Sequence, residues 1–460
     1  MPIIIPANSA AGGGGYEVTN SARFNPASND RLTRTPSSDG SRVKWTWSGW
    51  AKRNTDNQDL FLFGAYQNAN YKTSLKFASG GEIRFADVYG GSEQARINTL
   101  AKFRDPSAWY HIVVVYDKDN STSTDRLIMY VNGVRITEFD GSTMSSQSTT
   151  FNTANIQVQI GALNGDGDMN GYMSEICFVN NQALAPTSFG EFDEDSGIWK
   201  PIESVADLTF GTNGFYMDFK DSSELGNDAA GSNNYAEVNM TALNQTTDTC
   251  TNNFATLNPL NQSNSGYVFS EGNLKGAVSG AWLGGTSTFF VNKGKWYWEV
   301  KYGSGNFGLG IGQAETNATA IKLVSTANHG YVSYHVGGFE FFQNGSDTFN
   351  RTNNGNIGSY GSQATSGQIV MIAYDADSGK LFAGRQGTFF NSSNPANGTS
   401  PMFTVTSAAY FTPSLSIEGG VHEMNFGSPP YSESGGETDG NGFGNFAHAV
   451  PNGYFCLNSK

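Results

Sequence analysis

The sequence predicts an all-β chain folded as two antiparallel β-sandwiches, and three observations carry that expectation. Apolar residues recur with a period of two from end to end, while no long window keeps a period near 3.6. Asn132-Gly133 interrupts an alternating apolar run, and that dipeptide tolerates the positive φ angles of a two-residue hairpin turn. Composition agrees: only 15% charged residues, 13% aromatics and 56 glycines suit short strands joined by tight turns, not helical bundles or disorder. With 460 residues there is chain enough for more than one core.

Taken in order, residues 1–20 read as an extended arm. Ile3, Ile4 and Ile5 stand between Pro2 and Pro6, and a run of four glycines follows as a flexible linker. An unpaired apolar strand is a liability unless a partner covers it, so these three isoleucines are the expected anchoring residues. The first sandwich is expected over residues 21–240. It opens near Arg23-Phe24 and continues through WTWSGWAKR (45–53), DLFLFGAY, SLKF and EIRFADVY. WYHIVVVYD (109–117), RLIMYVNGVRI (126–136), IQVQIGA and GYMSEICFVNNQAL (171–184) follow as strands and hairpins. Residues 185–240 form a bridge whose strand 214–219 is expected to join the first sandwich. The second sandwich, residues 245–460, announces itself at GKWYWEV (294–300), where Trp296, Trp298 and Val300 share one face. Its last stretch, FAHAVPNGYFCLN, is expected to pair back toward residues 254–258.

The order of the 109–184 strands, closing on Gly-aromatic-apolar-x-Glu and a short "QAL" turn, resembles the concanavalin A-like, laminin-G-type jelly roll. In the second half, "GKWYWEV", "FGLGIG", "IVMIAYDADSGKLFAG", "FTPSLSI" and "MNFG" resemble a SPRY domain in the same order. The combination, together with "SARFNPASNDRLTRT" and "ALAPTSFGEFDEDSGIWKP", is similar to virion proteins of marine tailed bacteriophages. That resemblance implies a structural role as tail fibre, adhesin or head decoration, with other virion proteins and a host-surface glycan as partners. The sandwich fold alone would not justify a function.

The net charge of -14 disfavours a nucleic-acid partner, because phosphate binding rests on clustered Lys and Arg. No run approaches the ~20 apolar residues of a membrane span. The N-terminus lacks the basic region and apolar length of a signal peptide, which predicts assembly in a host cytoplasm rather than export. Cys177, Cys250 and Cys456 make no metal spacing. Cys177 reads as a core residue, and a Cys250–Cys456 disulfide is disfavoured in a reducing compartment.

Four stretches offer chemistry. Glu191, Asp193 and Asp195 alternate as the carboxylates of sandwich-fold retaining glycosidases do, which would aim them into one cleft. Turn residues surround them, however, and no apolar strand flanks them, so a solvated acidic loop is the expectation. Asp166, Asp168 and Asn170, with Gly171 in sixth place, copy the first half of a calcium loop. Its twelfth position is Cys177 instead of a bidentate Glu, which leaves at most a weak calcium site; no other cofactor is expected. Gly303-Ser304-Gly305-Asn306-Phe307-Gly308 matches G-x-G-x-x-G, but a strand pattern follows where a dinucleotide site needs a helix. Trp45, Trp47 and Trp50 offer faces for sugar stacking, yet their place in a leading strand favours the core. The five histidines show no ligand spacing, and His111 reads as a satisfied sheet residue.

These readings converge on a non-enzymatic virion protein, anchored by its arm and assembled as a homo-oligomer, with a trimer expected. The alternative is a laminarinase-type glycoside hydrolase.

Overall fold

The computed structural model describes residues 15–144, 148–165, 169–263, 265–313, 338–352, 355–406 and 410–460. Among them the chain is all-β, its only helices being short 3-10 turns. It divides between Asn253 and Phe254 into two compact units, each an antiparallel β-sandwich.

In the first unit two eight-stranded sheets face each other. One runs Val134–Arg135, Leu127–Val131, Trp109–Asp117, Lys44–Arg53, Gly171–Asn180, Ser21–Phe24 and Gln245–Thr246, with Phe215–Met217 also paired to Gly171–Asn180. The other runs Phe139–Met144, Ser92–Thr99, Ile83–Tyr89, Tyr71–Phe77, Leu60–Asn68, Val158–Ile160, Arg31–Arg34 and Ala236–Val238. Side chains two apart on a strand share a face. Trp45 and Trp47 therefore enter the inter-sheet core with Phe63, Phe151 and Phe178. Trp50 points the other way and joins Trp109, Tyr172 and Trp199 in a separate aromatic cluster. All three leading tryptophans are buried, so none presents a ring to a sugar.

The outer face of that first sheet is covered as well. Val113, Val115, Cys177 and Val179 lie beneath Phe189, Val205, Phe210 and Tyr216, so the segment after Leu184 forms a third layer. A strand buried on both faces needs no polar alternation. This is why Trp109–Asp117 reads as a nearly continuous apolar run.

The Asn132-Gly133 turn closes the hairpin between Leu127–Val131 and Val134–Arg135, with φ of 49° and 75°. Glycine is required at 133 twice over, since a side chain there would also overlap the Trp199 ring.

The second unit is one 13-stranded sheet folded over its own core. Its frame is two long strands, Lys295–Gln313 and Phe411–Asn425, paired along most of their length. Trp298, Val300, Phe307, Leu309, Leu415 and Ile417 fill the core. The Gly303–Gly308 stretch lies inside the first of these strands, at two register shifts. Gly305 sits at φ 81° against the Glu418–Gly420 backbone. Gly303 and Gly305 serve a bulge and a close backbone approach, and the strand runs on to Gln313 where a dinucleotide site would need a helix. On the sheet's other face Tyr297 and Met371 pack against Phe446, Tyr454 and Cys456. The chain end returns to the start of the unit, where the Ala255 amide donates to the Leu457 carbonyl at 2.9 Å. All three cysteines are free thiols.

Candidate functional site

The acidic stretch is a small hairpin, Gly190–Phe192 paired with Trp199–Pro201. Asp193 closes it from within: its Oδ1 accepts from the Ser196 amide and the Ser196 hydroxyl, both at 2.9 Å. Its Oδ2 meets Lys200 Nζ at 3.1 Å, and Lys200 also reaches Glu191 at 3.4 Å. The Ser196 amide, the Lys200 ammonium and the Ser196 hydroxyl hold the Asp193 carboxyl down to about 2. A general acid must carry a proton near working pH, which this group does not. Glu191 and Asp195 stay exposed. The hairpin is the solvated acidic loop that its turn residues predict.

Of the calcium candidates, Asp166 and Asp168 lie outside the described residues. Asn170 engages Asn54, accepting from its side-chain amide at 3.3 Å through Oδ1 and from its backbone amide at 3.0 Å through the carbonyl. The described residues hold no cluster of His, Cys, Asp and Glu that would take a metal. Ile3, Ile4 and Ile5 also fall outside the described residues.

His111 sits beside a serine, but in a geometry that disables it as a base. Trp199 Nε1 donates to its Nδ1 at 3.0 Å, so Nε2 carries the ring hydrogen and faces Ser48 Oγ at 2.8 Å. Nε2 therefore cannot take the serine proton, and burial pushes the imidazole pKa down to about 3. The ring packs at a tilt against Trp50, with centroids 4.9 Å apart. It is a buried connector, as its place in the strand predicts.

Two carboxylates that the sequence reading did not single out are more unusual. Glu175 interrupts the strand Gly171–Asn180 at a bulge, with φ 51° in the left-handed region and its side chain buried. Tyr216 Oη donates to its Oε2 at 2.5 Å and Tyr16 Oη at 3.4 Å. Burial pushes its pKa up to about 7. In the second unit Glu299 accepts from Tyr297 Oη at 2.8 Å, the Ala447 amide at 2.9 Å and the His448 amide at 3.0 Å. Burial raises it to about 7 also, against the pull of those donors. The only sequence signal for either was a lone Glu inside an apolar run.

At the open edge of the first sandwich lies a groove of about 340 Å³. Ile97, Leu127, Ile128, Ile136 and Phe139 give it a largely apolar wall, and Arg135 stands at its side. Arg135 pairs with Asp125 at 2.5 Å. The groove is a recess with hydrophobic lining and no paired catalytic carboxylates.

Residues 26–187 match the family described as the Concanavalin A-like lectin/glucanases superfamily. No curated protein matches the chain. Among solved structures, the mouse laminin alpha1 chain domains LG4-5 are similar at 12% identity and a TM-score of 0.30, over 88% of this chain and 92% of that one. A heptameric SAP-like pentraxin from Limulus polyphemus is similar at 18% identity and TM-score 0.28, over 37% of this chain and 80% of that one. The SPRY domain of human HERC1 is similar at 12% identity and TM-score 0.26, over 36% of this chain and 96% of that one.

Proposed function

We propose that this chain is a non-enzymatic structural protein of a bacteriophage virion, a tail fibre, adhesin or head decoration. Its sandwiches would present a surface to the host cell or its glycans. The observation that supports the non-catalytic part is the Asp193 hairpin: its carboxylate is tied into its own turn by Ser196 and Lys200. The match of residues 26–187 to a superfamily of lectins and glucanases supports a glycan-facing sandwich. The Pro-Ile-Ile-Ile-Pro arm supplies a means of attachment, and many weak sites on one particle gain avidity. Calcium bound by Asp166 and Asp168 would not alter the role.

Immunogold electron microscopy of purified particles tests the assignment. The full chain should decorate intact particles, and a chain lacking residues 1–15 should fold yet fail to incorporate. Normal incorporation of the truncated chain would remove the anchoring role. Glu191→Gln and Asp193→Asn should leave host attachment unchanged. Release of reducing sugar from a glycan, lost on either substitution, would favour the glycosidase reading instead.

A further inference from the structure

One cluster in the first unit combines three functional groups that no role described above uses. Lys52 is the next-to-last residue of the strand Lys44–Arg53, and its side chain is buried. Its Nζ lies 2.8 Å from Asp248 Oδ2 and 2.7 Å from Asn253 Oδ1. Trp109 Nε1 donates to the other Asp248 oxygen at 3.1 Å. The Asn253 side-chain nitrogen donates to the Ser107 carbonyl at 2.6 Å, which fixes which end of the amide faces the lysine. Trp50, Trp109, Tyr172 and Trp199 form the adjoining apolar cluster, and the Tyr172 ring centroid is 5.3 Å from Nζ.

A buried amine held against both a carboxylate and a carboxamide brings together the reactants and a proton carrier for amide formation. A C=O bond is ~1.23 Å long, so the Asn253 carbonyl carbon lies within about 4 Å of the lysine nitrogen. Reacting atoms held about 3–3.5 Å apart behave as a near-attack pair, so only a small closing movement is required. We propose that Lys52 and Asn253 join in an intramolecular isopeptide bond, with Asp248 carrying the protons.

The steps balance without any co-reactant. Asp248 takes one proton from the Lys52 ammonium, and the freed Nζ lone pair attacks Cγ of Asn253. The C=O π pair moves onto Oδ1. Asp248 passes its proton to Nδ2 and takes a second proton from Nζ. As the C=O reforms, the Cγ–Nδ2 bond breaks. The departing nitrogen receives that second proton and leaves as ammonium. Asp248 ends as a carboxylate, and Nζ keeps one hydrogen in a new amide. The bond would tie the segment that ends the first unit to a central strand of its sheet. Such a tie resists pulling along the chain, which suits a particle component but does not depend on that role.

Intact-mass spectrometry of the purified full chain is the direct test. The mass should fall below the sequence mass by one ammonia, and a tryptic digest should yield one branched peptide carrying both Lys52 and Asn253. Asn253→Ala, at a half-buried position, and Asp248→Ala should each show the full mass calculated for the variant. A wild-type chain at full sequence mass overturns the proposal, and that measurement needs no variant to fold. Loss of ammonia that persists in Lys52→Met also overturns it, since ring closure at an asparagine loses ammonia without a lysine.

Discussion

Replacing Trp45 with alanine will destabilise the first sandwich by about 3–5 kcal/mol, the range found when a large buried aromatic is truncated. The ring is fully buried between the sheets. Its centroid lies 5.7 Å from that of Phe85, 5.5 Å from Tyr116, 5.4 Å from Phe151 and 5.6 Å from Phe178, so both sheets lose a shared partner. Four aromatic rings cannot collapse into the space together, and the cavity term stays large. The indole Nε1 also donates to Thr149 Oγ1 at 3.1 Å. Thr149 keeps its own donation to the Arg42 carbonyl at 3.1 Å, so the polar loss is secondary. Denaturant unfolding should show a lowered midpoint with unchanged slope. A loss below about 1 kcal/mol, the scale of an ordinary substitution, would mean that Trp45 does not bridge the sheets.

The tryptophans illustrate how much was legible in the sequence. Alternation along Lys44–Arg53 separates Trp45 and Trp47 from Trp50 without any structure. It cannot show that Trp50 meets Trp109, Tyr172 and Trp199, because those rings come from three other segments brought together by the fold. The Asn132-Gly133 hairpin and the acidic turn around Asp193 were readable because both are local, decided by residues within a few positions. Glu175 was not. A single carboxylate in GYMSEICF gives no hint of a bulge, since the bulge arises where the strand shifts register against Lys44–Arg53. Lys52 and Asp248 are separated by almost the whole unit, so their pairing belongs to the topology and has no sequence spacing to reveal it.

Glu175 leads to the second large effect, a stability that falls as pH rises toward neutrality. Its carboxyl ionises at 4.5 in an ordinary setting and at about 7 in the folded chain, chiefly through burial. Between those two values the folded chain holds a proton that the unfolded chain has released. The stabilisation is therefore complete below about 4.5 and is lost as pH rises through about 7. At ~1.36 kcal/mol per pH unit, one such group accounts for about 3 kcal/mol. The groups around it are Tyr216 and Tyr16, which donate to the carboxylate, Lys220, which favours its charge, and Asp218, which opposes it. Asp87 in the same unit is raised to about 6 and acts in the same direction. The net charge of -14 adds to the trend, because self-repulsion grows as carboxyls ionise. Glu175→Gln keeps an acceptor for both tyrosine hydroxyls and does not titrate. The wild-type first sandwich should thus unfold at higher denaturant concentration at pH 5 than at pH 8, and Glu175→Gln should remove most of that difference. Equal stability of the wild type at the two pH values would show that Glu175 stays ionised in the fold, held by its tyrosine donors instead of neutralised by burial.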